Sequence, residues 1–261
     1  MSVLANDVTG GPSRRIQTTL DQARKSTADL RVKIYADGAD RGAMLEMYKK
    51  PWIAGFTTNP SLMRKSGVSD YRTFATDILR QIPDRSISLE VFADEFDEME
   101  RQAREIGSWA QNVLVKIPIT NTRGQSSAPL LARLARAGVP VNVTAVLTLD
   151  QVREASRSLA GGPIAKISVF AGRIADTGRD PAPLMAAAVK LLHPYPNIEL
   201  IWASPREVLN VFQADAVGCH IITATPDILS KLELRGKDLQ QHSLDTVRMF
   251  HDDARKAGFR L

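Results

Sequence analysis

Apolar and polar positions along this chain follow two periods. Short β-branched runs recur at 32–37, 53–58, 87–92, 113–118, 140–146, 164–170, 198–204 and 219–225, and such runs predict strands. Between them lie stretches with apolar residues three and four apart, as in 94–110, 126–138, 149–161 and 181–195, the pattern of a helix lying on a sheet. Gly138 and Gly161 close two of these stretches where a helix end favours glycine. Strands alternating with helices imply a parallel sheet. Eight such units in 261 residues predict an α/β fold, a single-domain (β/α)8 barrel of the TIM type. A doubly wound sheet is the alternative fold, but no GxGxxG follows the first strand and no GxxxxGK loop is present. The barrel domain is expected over 31–261, ending in a charged helix from 238, with 1–30 as an N-terminal extension of tail and helix.

Composition narrows the class. A hydrophobic share of 44% and a charged share of 24% fit a soluble globular protein. No apolar run approaches the ~20 residues that a membrane helix needs. The N-terminus lacks a hydrophobic signal core, and the single cysteine, Cys219, excludes an internal disulfide, so a reducing cytoplasm is the expected location. Cys219 lies in AVGCHIITA and reads as a small buried hydrophobe. The net charge of +5 raises nucleic acid as a partner. The distribution argues otherwise: acids cluster at Asp94–Glu100, and the locally basic stretch (Arg14, Arg15, Arg24, Lys25, Arg31, Lys33) has no interleaved aromatics. Small anionic substrates account for the balance without nucleic acid or membrane.

The candidate chemistry begins with Lys116, set inside the apolar run VLVKIPIT (113–120). Burial disfavours an ammonium, and the neutral amine is the nucleophile of Schiff-base chemistry. The plain reading is a lysine snorkelling from a strand end. A barrel, however, places its active site at the C-terminal ends of the strands. There the chain offers Asp37, Thr57-Thr58-Asn59-Pro60, Glu90, Lys116, Asn142, Thr144, Ser168, Phe170, Arg173, Ser204 and Arg206. Taken singly, Asp37 reads as a loop opener with Gly38, Glu90 as a paired core acid and each arginine as a surface ion pair. Joined on one rim, an amine, two carboxyls and hydroxyls are the equipment of imine-forming carbonyl chemistry, and Arg173 and Arg206 suit a substrate phosphate.

These blocks, GFTTNPSL (55–62), VLVKIPIT, NVTAV (142–146), SVFAGRIADTG (168–178) and WASPR (202–206), resemble the transaldolase family in order from about residue 32 to residue 230. The resemblance implies a class I aldol mechanism in a circularly permuted barrel, with no metal and no cofactor. It implies that Lys116 forms the Schiff base and Asp37 takes the C4-hydroxyl proton as the C3–C4 bond breaks. Glu90 and Thr144 would hold the water of imine formation and hydrolysis. Asn59 and Ser168 would bind the dihydroxyacetone unit, with Thr58, Asn142 and Phe170 beside them, and Arg173, Ser204 and Arg206 would receive a phosphate or other terminal anion. Glu90 and Phe170 stand where the fructose-6-phosphate aldolase-like branch has glutamine and tyrosine, which implies a transferase rather than a free aldolase, serving the pentose phosphate pathway or a specialised route with an unusual anionic sugar.

Lys166 shares strand parity with Ser168 and is a second inward lysine on paper, either a competing nucleophile, a buried ion-pair partner or a residue one layer lower. Pro205 replaces the family's usual aromatic. Three other functions stay open on sequence grounds. They are an aldolase releasing dihydroxyacetone, a noncatalytic sugar-phosphate-binding barrel and a metal-dependent aldolase, the last opposed by four histidines (His193, His220, His242, His251) that form no ligand pattern. The final helix offers a surface for a homo-oligomer.

Overall fold

The structure, a computed structural model, describes residues 27–260. Eight parallel strands close into one barrel in chain order. They are β1 (Lys33–Asp37), β2 (Ile53–Thr57), β3 (Ser86–Glu90), β4 (Val113–Pro118), β5 (Val141–Val146), β6 (Ala165–Val169), β7 (Ile198–Trp202) and β8 (Ile221–Ala224). The doubly wound alternative is thereby excluded.

The helices form where the periodicity places them. Phe96–Gly107 buries Met99, Ala103 and Ile106, and Ala128–Arg136 buries Leu130, Leu131 and Leu134. Leu149–Leu159 starts with a capping box, Thr148 accepting from the Gln151 N–H while the Gln151 side chain reaches back. On most strands one parity is apolar and buried, as in Ile87 and Leu89, Val113, Val115 and Ile117, or Ile167 and Val169. The opposite parity faces the barrel interior and is unusually polar, so every such group needs a partner or a cavity.

Five expected strand ends overran: Thr58 and Thr225 lie one residue past β2 and β8, and the other three are larger departures or carry site residues. After Glu90 the chain leaves the sheet, and the N–H groups of Phe92 and Ala93 bond to Gln102 Oε1 instead. Phe170 lies one residue past β6 and caps the short helix Ala171–Ala175, although its N–H still reaches Val146 O at 2.8 Å. Ser204 lies beyond β7 with φ 58°, a left-handed conformation no strand continues through.

Residues Thr27–Ser230 form one compact unit that holds all eight strands. The described residues after Ser230 belong to a second unit, whose main element is the helix Leu239–Ala257, capped by Asp238 and ended by Gly258 at φ 69°. The expected N-terminal tail and most of the basic stretch lie outside the described residues. Among those described, no helix is long and apolar enough to cross a membrane. Cys219 is buried, which pushes its thiol up to about 12 and leaves it unreactive.

Candidate active site

Polar residues fill the barrel in layers. At the N-terminal end, the Lys166 ammonium donates to Tyr35 Oη and lies 3.5 Å from Glu199 Oε2 and 4.4 Å from the Tyr35 ring centroid. Tyr35 Oη also meets Ser86 Oγ at 2.9 Å, and Lys33 bonds Glu199 from outside at 2.7 Å. Burial alone would raise the Glu199 carboxyl, but the bond from Lys33 and the charges of both lysines hold it below its ordinary value. Gly55 makes this layer possible, since a Cβ there would lie 2.5 Å from the Tyr35 ring. Lys166 therefore sits a layer below the rim, in a buried ion pair.

The middle layer is a hydrogen-bonded chain. Ser168 Oγ donates to Asn142 Oδ1 at 2.8 Å, and Asn142 Nδ2 donates to Ser88 Oγ at 3.0 Å.

Above it opens a cavity of about 650 Å³, lined by Asp37, Thr57, Asn59, Leu62, Glu90, Lys116, Thr144, Ala145, Ser168, Phe170, Arg173, Ser204, Pro205, Arg206, Thr223, Asp227 and others. Ten of the twelve site residues singled out from sequence thus converge on one surface. The other two, Thr58 and Asn142, stand behind it: Thr58 Oγ1 donates to Ser88 O, and Asn142 is held in the middle layer.

Lys116 is only 5% exposed, and its Nζ donates to Thr58 O at 2.7 Å and to Glu90 Oε2 at 2.9 Å. The carbonyl is fixed because Thr58 N–H bonds back to Ser88 O. Glu90 is steadied from outside by Tyr71 Oη, which donates to the Glu90 carbonyl at 2.8 Å. Burial raises the Asp37 carboxyl above its ordinary value, against the opposing pull of Lys116 and of a 2.8 Å bond from Thr57 Oγ1. Thr144 Oγ1 is buried on the cavity wall without a hydrogen-bond partner among the described residues, which leaves it to bind what enters. Asn59 caps the helix Pro60–Lys65 through Oδ1, accepting from Leu62 N–H at 2.9 Å, which leaves its N–H donors for the cavity.

The rim is strained. Ala145 and Ser204 both take positive φ, 61° and 58°, as non-glycine residues do at sites the surroundings over-determine. Gly172 lets the two loops interlock, because a Cβ there would sit 1.6 Å from Ser204 O. The two arginines differ. Arg206 is clamped by Asp176 through Nε at 3.0 Å and through Nη2, whereas Arg173 stacks over Phe170 at 5.3 Å and makes no ion pair among the described residues. No group of three or more His, Cys, Asp or Glu among the described residues is arranged to hold a metal ion.

Sequence reasoning did not single out Thr223, Asp227 or Asp176. Thr223 was within reach, since it sits at alternate parity on the eighth strand; Asp176 acts only through its contact with Arg206, 30 residues on.

The pattern that describes the transaldolase/fructose-6-phosphate aldolase family matches residues 34–261. A protein named "Probable transaldolase" from Dehalococcoides mccartyi is 33% identical over 202 residues, covering 77% of this chain and 90% of the relative. One of the same name from a Thermoanaerobacter species is 32% identical over 233 residues, covering 88% of this chain and all of the relative. Among solved structures, dihydrodipicolinate synthase from Rhodopseudomonas palustris superposes with a TM-score of 0.54 at 12% identity, over 85% of this chain and 79% of that one. The 3-keto-L-gulonate-6-phosphate decarboxylase from Vibrio cholerae gives 0.51 at 12% identity, over 81% and 92%. At that identity the likeness is one of barrel fold alone.

Proposed function

The chain belongs to the transaldolase/fructose-6-phosphate aldolase family, and on that premise we propose that it transfers a dihydroxyacetone unit from a ketose phosphate to an aldose phosphate through a Schiff base on Lys116. The observation that carries this reading is a single lysine amine on the cavity surface, buried, 2.9 Å from one carboxylate and with a second carboxyl on the same wall.

The chemistry follows from those neighbours. Glu90 is within reach to take a proton from the Lys116 ammonium, leaving an amine whose lone pair attacks the ketose C2 carbonyl. The carbinolamine loses water to give the imine, and Glu90 with the free Thr144 hydroxyl holds that water. Asp37 accepts the C4-hydroxyl proton; the C3–C4 pair moves to C3, forming an enamine and releasing an aldehyde. The enamine then attacks an acceptor aldehyde, Asp37 returns the proton, and water hydrolyses the new imine. Asp37, whose burial favours its neutral form, is suited to hold that proton between the two half-reactions. Asn59 and Ser168 face the donor unit. The substrate anion meets Arg173 and Ser204, with Arg206 contributing the donors that Asp176 leaves free.

Incubating the protein with fructose 6-phosphate, with and without an aldose-phosphate acceptor, tests this. Acceptor-dependent release of glyceraldehyde 3-phosphate is expected. Acceptor-independent release of dihydroxyacetone would make the protein an aldolase, and no turnover of any ketose would make it a binding protein.

A further inference from the structure

Asp37 does not stand alone on its wall. Thr57 Oγ1 donates to Asp37 Oδ1 at 2.8 Å, and the same oxygen lies 2.6 Å from Thr223 Oγ1. Both threonines are buried, 3% and 4% exposed. A hydroxyl has one hydrogen. That of Thr57 is committed to the carboxylate, so Thr223 must be the donor in the second bond. The order is set by the barrel: β1 lies between β2 and β8, Asp37 pairs with Thr57 across one seam, and Tyr35 pairs with Thr223 across the other. Both threonines are β-branched and stiff at χ1, so the arrangement holds its direction.

We propose that Thr223, acting through Thr57, is a positioning residue that fixes Asp37 Oδ1 and favours its ionised form, leaving Oδ2 to accept the substrate proton. The inference rests on the role given to Asp37 above. A hydroxyl that accepts a hydrogen bond is a stronger donor, so Thr223 strengthens the Thr57–Asp37 bond by cooperativity. The need is clear from the surroundings. Burial and the Glu90 charge push the Asp37 carboxyl toward its neutral form, which cannot act as a base, while Lys116 and Thr57 pull the other way. Asp227, after β8, shares the main cavity, and Asp40 and Lys65 line a smaller recess that also reaches Asp37. Thr57 is the donor that opposes the burial at bonding distance.

The test is the pH profile of kcat/KM for cleavage of fructose 6-phosphate by the full chain. Thr57→Val should move the acid limb to higher pH and lower the plateau about tenfold to a hundredfold, the range for a bond to a charged group. Thr223→Val should move the limb the same way by less. Thr57→Ser and Thr223→Ser should restore both. The double variant should match Thr57→Val alone, because Thr223 acts through Thr57. A Thr223→Val effect that persists in the Thr57→Val background, or one that lowers the plateau with the limb unmoved, would overturn the proposal. The Asp37 carboxyl, observed by 13C NMR in aspartate-labelled protein and identified by its loss in Asp37→Asn, supplies a readout independent of turnover. Its midpoint should rise in both valine variants; an unmoved midpoint sinks the relay even in a protein that proves inactive on every ketose.

Discussion

Two lysines are buried inside one barrel, and their surroundings differ in kind. Lys116, at the C-terminal end, has a carboxylate and a carbonyl at bonding distance and still opens on a cavity of about 650 Å³. Lys166, at the N-terminal end, is sealed at 2% exposure among Tyr35, Ser86 and Glu199, with Lys33 closing the ion pair from outside. The first is a nucleophile's setting, because a reacting carbon can approach the amine. The second is a structural plug, because nothing can reach it without breaking a hydrogen-bonded layer. Burial alone therefore does not single out the lysine proposed to form the Schiff base; burial beside open volume separates it from Lys166.

The sharpest way to break this contrast is to remove each amine in turn. Lys116→Met should lower transfer on the order of 10⁴- to 10⁶-fold, the scale for loss of a covalent nucleophile. Lys166→Met should leave turnover within about threefold but lower stability, because it removes one member of a buried ion pair, with Lys33 still pairing Glu199 and limiting the loss. Steady-state kinetics with chemical denaturation read both. A reversal between the two lysines would refute the contrast.

Asp37→Asn should cost about 10²- to 10⁴-fold in kcat, the usual contribution of a positioned acid–base group. Stability should move the other way. A carboxyl raised by burial contributes stability below its ordinary value of 3.8 and loses it as pH rises through the folded value. The asparagine variant escapes that loss, so its Tm at neutral pH should exceed that of the parent.

Much of this was legible in the sequence. Val113–Pro118 is the strand the β-branched run predicts, and ten of twelve expected site residues meet on one cavity because strand parity and the barrel rule together say where polar residues go. The rest was hidden by distance along the chain. The partner of Lys166 is Tyr35, 131 residues away, and room for that ring depends on a glycine whose role shows only in three dimensions. Asn142 has the parity of a site residue but spends both ends of its amide on Ser88 and Ser168. The clamp of Asp176 on Arg206 makes two similar arginines unequal, and no periodicity reports that.

Breaking the sealed layer gives smaller effects. Glu199→Gln leaves the Lys166 ammonium buried without its carboxylate and should cost about 3 kcal/mol in urea unfolding. Because the Glu199 carboxyl is held below its ordinary 4.5 in the fold, its contribution is present above that value and disappears as pH falls through the lower folded one. The variant's stability should therefore depend less on pH on the acid side. Gly55→Ala pushes a methyl into the Tyr35 ring and should cost about 1–3 kcal/mol, with turnover retained at low temperature. A wild-type Tm in either variant would mean the layer is looser than described.

Borohydride reduction in the presence of fructose 6-phosphate, followed by peptide mapping, reads the two lysines against each other in one sample. A ketose adduct on the peptide holding Lys116, with none on that holding Lys166, is the predicted result. An adduct on Lys166, or none with any ketose tried, would contradict the assignment of Lys116 as the Schiff-base lysine.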